Sequence, residues 1–66
     1  MQAYNDNKKD IDFSALLGKI LLCRKDNGKE FVSMLVAIEG NELIFRTRNG
    51  KLLSNLASTI QYAAEV

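Results

Sequence analysis

Residues 27–51 read NGKEFVSMLVAIEGNELIFRTRNGK. Glycine stands beside asparagine three times in this stretch, at Asn27-Gly28, Gly40-Asn41 and Asn49-Gly50. Asn-Gly between apolar runs is the strongest short hairpin signal, because a type I′ turn needs two residues at positive φ. The segments between the turns are strand-like. Lys29–Ile38 is long and apolar on both faces from Met34 to Ile38, as expected of a strand buried on two sides or bent across a small barrel. Glu42–Arg48 alternates, with Leu43, Phe45 and Thr47 on one face and Glu42, Ile44, Arg46 and Arg48 on the other.

Outward from this stretch the same pattern continues. KILLCRK, Lys19–Lys25, predicts a strand before the first turn. A short strand is predicted over Lys51–Ser54 and a last one over Ser58–Glu65. In the last, Ile60, Tyr62, Ala64 and Val66 fall on one face by simple alternation. Ahead of the strands, Asp10 suits a helix cap, Ile11, Ala15 and Leu16 fall near one face, and Gly18 suits the stop. The expected helix, Asp10–Leu17, is only about two turns and must pack on something to persist. Residues 1–9 read as a loose polar tail, leaving residues 10–66 as the domain. The predicted fold is mainly β: a short helix, then five antiparallel strands in a strongly bent, SH3-like small barrel.

With 66 residues the chain holds one domain. A domain of that size buries only about 60% of its unfolded surface. Such folds usually need a disulfide, a metal or a partner. Cys23 is the sole cysteine, so no bridge forms within the chain, and the lack of histidine argues against zinc. Association is the remaining staple, and the 47% apolar content supplies surface for it. No apolar run reaches the roughly 18 residues of a membrane span. A lone cysteine and a polar N-terminus point to a reducing, cytoplasmic location.

Catalytic chemistry has little to work with. Histidine, the commonest general acid–base, is absent. Cys23 lies inside an apolar strand and reads as a small core residue rather than a nucleophile. The glycines are isolated turn residues, not a phosphate loop. The expectation is a binding or structural protein, with no enzyme activity, cofactor or metal.

The net charge of +1 hides an asymmetry. Between Gly18 and Lys51, seven cations face four carboxylates, a local excess of three. A ring would repeat that excess on every subunit.

Helix, glycine and five bent strands resemble the Sm-like proteins, and within them the bacterial Hfq branch. ILLCRKDNGKEFVSMLVAIE resembles the family's first motif, with its turn at Asn27-Gly28 and its acidic residue at Glu39. KLLSNLASTIQY resembles the second, Ala57 to Ile60 matching the closing strand, and FSALL resembles the N-terminal helix. The similarity covers residues 10–62 and is one of pattern and spacing. It implies a homo-oligomeric ring of about five to seven subunits. In such rings the fourth strand of one subunit pairs with the fifth of the next. It also implies single-stranded RNA as partner.

The chain departs from the family in places. Ser33 stands where the second strand expects a small residue, usually glycine. Ser54, Asn55 and Leu56 replace the Tyr-Lys-His run that lines the Hfq uridine pore, so the implied RNA site is altered. Asn41 and Asn55 remain for base edges, and Lys29, Arg46, Arg48 and Lys51 for phosphates. Leu52, Leu53, Ile60 and Tyr62 are the expected contacts between subunits. An uncovered last strand, nearly free of charge, would be an aggregation hazard. The alternative reading is an SH3-like protein-interaction or scaffold module without nucleic acid.

Overall fold

The structure, a computed structural model, describes residues 11–66. The expected tail over residues 1–9 and the capping role of Asp10 lie outside the described residues. Five strands follow in order: β1 (Ile20–Lys25), β2 (Glu30–Glu39), β3 (Glu42–Arg46), β4 (Leu52–Leu56) and β5 (Ile60–Glu65). They form one antiparallel sheet in the order β4-β3-β2-β1-β5.

The two-turn helix expected before β1 is replaced by a single 3₁₀ turn, Phe13–Leu16. Its packing face also differs. Phe13 and Leu16, three residues apart, lie against the core with Ile11, while Ala15 is exposed. A spacing of three is the period of the 3₁₀ helix, in which such side chains eclipse. Gly18 follows at φ +82° and donates its N–H to the Leu35 carbonyl (2.7 Å), so the chain turns directly into the sheet.

The turns fall where the glycines do, but not in the type I′ form. Among the described residues only glycines have positive φ. Lys25 and Lys29 close the first hairpin through Lys25 N–H to Lys29 O (2.8 Å), with Gly28 N–H reaching back to Lys25 O (2.9 Å). Thr47, Gly50 and Lys51 repeat the pattern at the third hairpin. This is the three-residue loop, a type I turn followed by a left-handed glycine. The asparagine thus keeps an ordinary φ, and Asn27 uses its side-chain oxygen to accept the Lys29 N–H (3.0 Å). Gly40-Asn41 is a two-residue loop with glycine first, the II′ arrangement.

Two bulges shape the sheet. In β2 the register passes from Leu35↔Phe45 to Ala37↔Ile44, leaving Val36 as an extra residue. Bulges bend a strand and increase its twist. β2 therefore pairs with β1 along its first half and with β3 along its second. In β5 the register passes from Lys25↔Ile60 to Arg24↔Tyr62, leaving Gln61 extra. That overturns the simple alternation expected there. Ile60 is buried at 3% exposure and Ala63 packs on the core, whereas Tyr62 faces outward beside Arg24.

The core lies on one face of the sheet: Leu21, Cys23, Leu35, Leu43, Phe45 and Ile60, with Phe31 edge-on to Phe45 at 5.2 Å. These alternate along β1 and β3 with outward residues, as the period of two requires. Among the described residues, no helix is long and apolar enough to cross a membrane.

Candidate functional site

The sheet has two ends, β4 and β5. Each is hydrogen-bonded to one neighbour, β4 to β3 and β5 to β1. The consequence is visible in side chains on the core face. Leu53 lies directly opposite Phe45, and Asn55 opposite Leu43. Phe45 and Leu43 are essentially sealed, yet Leu53 is 40% exposed, because among the described residues no strand lies beyond β4. On the other side of β4, Leu52 and Leu56 are more than half or half exposed. The last strand adds Tyr62, also exposed. Three of the four expected contact residues, Leu52, Leu53 and Tyr62, are therefore at the surface. The fourth, Ile60, has its side chain in the chain's own core and only backbone to offer. Leu56 belongs with these exposed side chains, on the same side of β4 as Leu52.

A 3₁₀ turn, Ala57–Thr59, carries the chain from one end of the sheet to the other. Its two ends are tied to different hairpins. Ala57 N–H donates to the Asn41 carbonyl (2.8 Å), and Asp26 N–H donates to the Thr59 carbonyl (2.8 Å). This brings the Asn41 turn next to the end of β4, where Asn55 sits two residues before Ala57. Ser54, Asn55 and Leu56 are strand residues here, since β4 runs to Leu56 rather than ending at Ser54. The Lys29 turn adjoins the other end of the same connection, through Asp26.

The remaining candidates lie elsewhere. Arg46 ends β3 opposite Leu52, and Arg48 and Lys51 belong to the hairpin that follows. The six expected RNA residues thus divide into two groups: Asn41 and Asn55, with Lys29 on the adjoining turn, and Arg46, Arg48 and Lys51 at the β3–β4 hairpin.

Beside the second group lies an open groove of about 550 Å³, lined by Ile20, Val32, Ser33, Met34, Arg46, Thr47 and Arg48. Its walls are mostly apolar and its charge is wholly positive. Ile20 and Val32 are 47% and 56% exposed. Sequence reading did not single them out, although both alternate out of phase with the buried residues Leu21 and Ser33.

Ion pairing sorts the cations. Arg24 donates from Nε to Glu30 (3.0 Å) and stacks over the Tyr62 ring at 5.2 Å, and Lys19 lies 3.6 Å from Glu65. Lys29, Arg46, Arg48 and Lys51 form no ion pair among the described residues. Lys25 is without an ion pair among the described residues as well, so this group holds the four cations expected to meet phosphate and one more.

Cys23 is fully buried, and burial pushes its thiol up to about 11. A thiol so protonated is a poor nucleophile at neutral pH.

Comparison with family models, curated proteins and solved structures returned no match.

Proposed function

We propose that this chain is an Sm-like subunit, with the strongly bent small-barrel architecture of that family, whose copies close a ring by pairing β4 of one with β5 of the next. The observation that carries this reading is Leu53. It points to the core side of the sheet, opposite the sealed Phe45, and is still 40% exposed. A neighbouring strand laid along β4 would cover it. Backbone pairing at both free ends would supply the stabilisation a domain this small otherwise lacks. A heterologous contact of this kind closes only if the rotation per subunit divides a full turn.

The ring binds single-stranded RNA in the proposed reading. Asn41 and Asn55, held on neighbouring elements by the Ala57–Asn41 bond, offer amide groups to base edges. The cations Lys29, Arg46, Arg48 and Lys51, without an ion pair among the described residues, offer charge to phosphates. Mass in dilute solution tests the ring: an assembly weighs several times 7.4 kDa, and a monomer at every concentration defeats it. Titration with single-stranded RNA at low salt tests the binding.

The apolar groove over Ile20 and Val32 favours a second reading, a scaffold module that holds protein rather than RNA. An assembled ring with no affinity for any single-stranded RNA at low salt is what that reading expects.

A further inference from the structure

We infer that two copies of the assembly stack face to face through the outer side of β3; the strength of this contact rests on the ring reading above, its geometry does not. Leu43 and Phe45 turn inward, so Glu42, Ile44 and Arg46 project outward from the same strand. Read along β3, the outer side is acidic, aliphatic, basic. The flanking strands complete three rows. Glu42 lies between Glu39 and Leu56, Ile44 between Ala37 and Ser54, and Arg46 between Met34 and Leu52.

Along β3 this pattern is complementary to itself, while on β2 the same operation sets Glu39 over Met34. A two-fold axis lying in the interface, across the strands and over Ile44, reverses the strand direction and keeps each strand over its own copy. Glu42 then faces Arg46 of the second copy, and Arg46 faces Glu42. On β4, Leu56 faces Leu52. Ile44 meets Ile44 at the centre, and the small residues Ala37 and Ser54 beside it let two sheets approach to about 10 Å. The other in-plane axis, along β3, would put Glu42 on Glu42 and is excluded by repulsion.

A second observation points the same way. Glu39 and Glu42 are direct cross-strand partners, an unfavourable pairing of like charges. Neither carboxylate makes an ion pair among the described residues, and neither does Arg46. A second copy sets Arg46 opposite Glu42, the carboxylate of that pair on β3. One such patch is smaller than the roughly 800 Å² per partner of a stable pair. A ring that turns the outer side of β3 along its axis presents the patch once per subunit, so the patches act together. The proposal takes Arg46 out of the phosphate-binding set and leaves Arg48 and Lys51 in it.

Charge reversal tests it, because all the altered side chains are exposed and the fold is not at stake. Mass is measured by light scattering at low salt for the wild type, Arg46→Glu, Glu42→Arg and the double variant. Each single reversal is expected to halve the wild-type mass, and the double variant, which restores the pairing with the signs exchanged, to recover it. Singles that keep the wild-type mass, or a double that stays at half, overturn the inference. So does an Arg46→Glu protein that loses RNA affinity at unchanged mass. Should the ring reading fail, the same twofold change is read between pair and single chain at high concentration, so the two failures are told apart.

Discussion

The Ser33 hydroxyl donates a 2.9 Å hydrogen bond to the backbone carbonyl of Arg46. Ser33 is 5% exposed, the one buried polar side chain among the described residues. It stands in β2 just before the strand bends, and Arg46 ends β3 one register step away. The bond ties the first half of β2 to the end of the strand that pairs with its second half. It also fixes the floor of the groove between Val32 and Arg46.

Ser33→Ala removes the donor and leaves the Arg46 carbonyl short of a partner. The expected loss is about 1 kcal/mol of folding stability. Urea unfolding followed by circular dichroism measures it, on a monomeric background if assembly masks the change. An unchanged midpoint would mean that water replaces the hydroxyl.

Leu53→Lys places a charge on the uncovered core-side position of β4. The fold should survive, since Leu53 is already 40% exposed in the single chain. Assembly should not: the measured mass is expected to fall to 7.4 kDa. A variant that assembles like the wild type shows that β4 is not the joint.

Arg48→Ala and Lys51→Ala each delete one uncommitted cation at the β3–β4 hairpin. RNA binding should weaken by a similar factor for every sequence tested. The slope of log affinity against log salt should drop by about one for each phosphate that the deleted side chain had neutralised. Asn55→Ala should instead alter preference among homopolymers with the slope unchanged. Fluorescence anisotropy across a salt series separates the two behaviours.

Cys23 should resist thiol reagents in the folded protein and react at once in denaturant. Its pKa, raised from 9.0 to about 11 by burial, also predicts a pH effect. The unfolded chain ionises first, so the neutral thiol's contribution to stability is whole below pH 9 and is lost as pH climbs from 9 towards 11. Unfolding midpoints of the wild type and Cys23→Ala, compared across that window, should converge or cross as pH rises.

Much of this fold was legible in local pattern. The alternation in β3 set Leu43 and Phe45 on one face and Glu42, Ile44 and Arg46 on the other, because a strand's period of two is a property of the backbone itself. The three glycine turns were legible in position for a similar reason: positive φ is costly for every other residue. The turn type was not legible, since Asn-Gly suits both a two-residue and a three-residue loop, and strand pairing decides between them. The helix before β1 failed for a related cause. Its few residues carry no strong preference of their own, and the core accepted Phe13 and Leu16 at a spacing of three.

The candidate site was legible as residue types and not as an arrangement. Asn41 and Asn55 are brought together by the connection through Ala57, and Arg46, Arg48 and Lys51 are gathered at another hairpin. No spacing along the chain states this. The face of Tyr62 depended on the bulge at Gln61, which exists only through pairing with β1.

From its sequence alone this chain is bound to be rich in antiparallel strands, without a disulfide among its own residues, and turned at its glycines. Those features follow from composition and from interactions between near neighbours. Tertiary structure alone decided which strands lie at the ends of the sheet, which apolar side chains stay uncovered, and which cations find no carboxylate. These depend on contacts between residues far apart in the chain, where register and bulges, rather than the identity of any single residue, set what is buried.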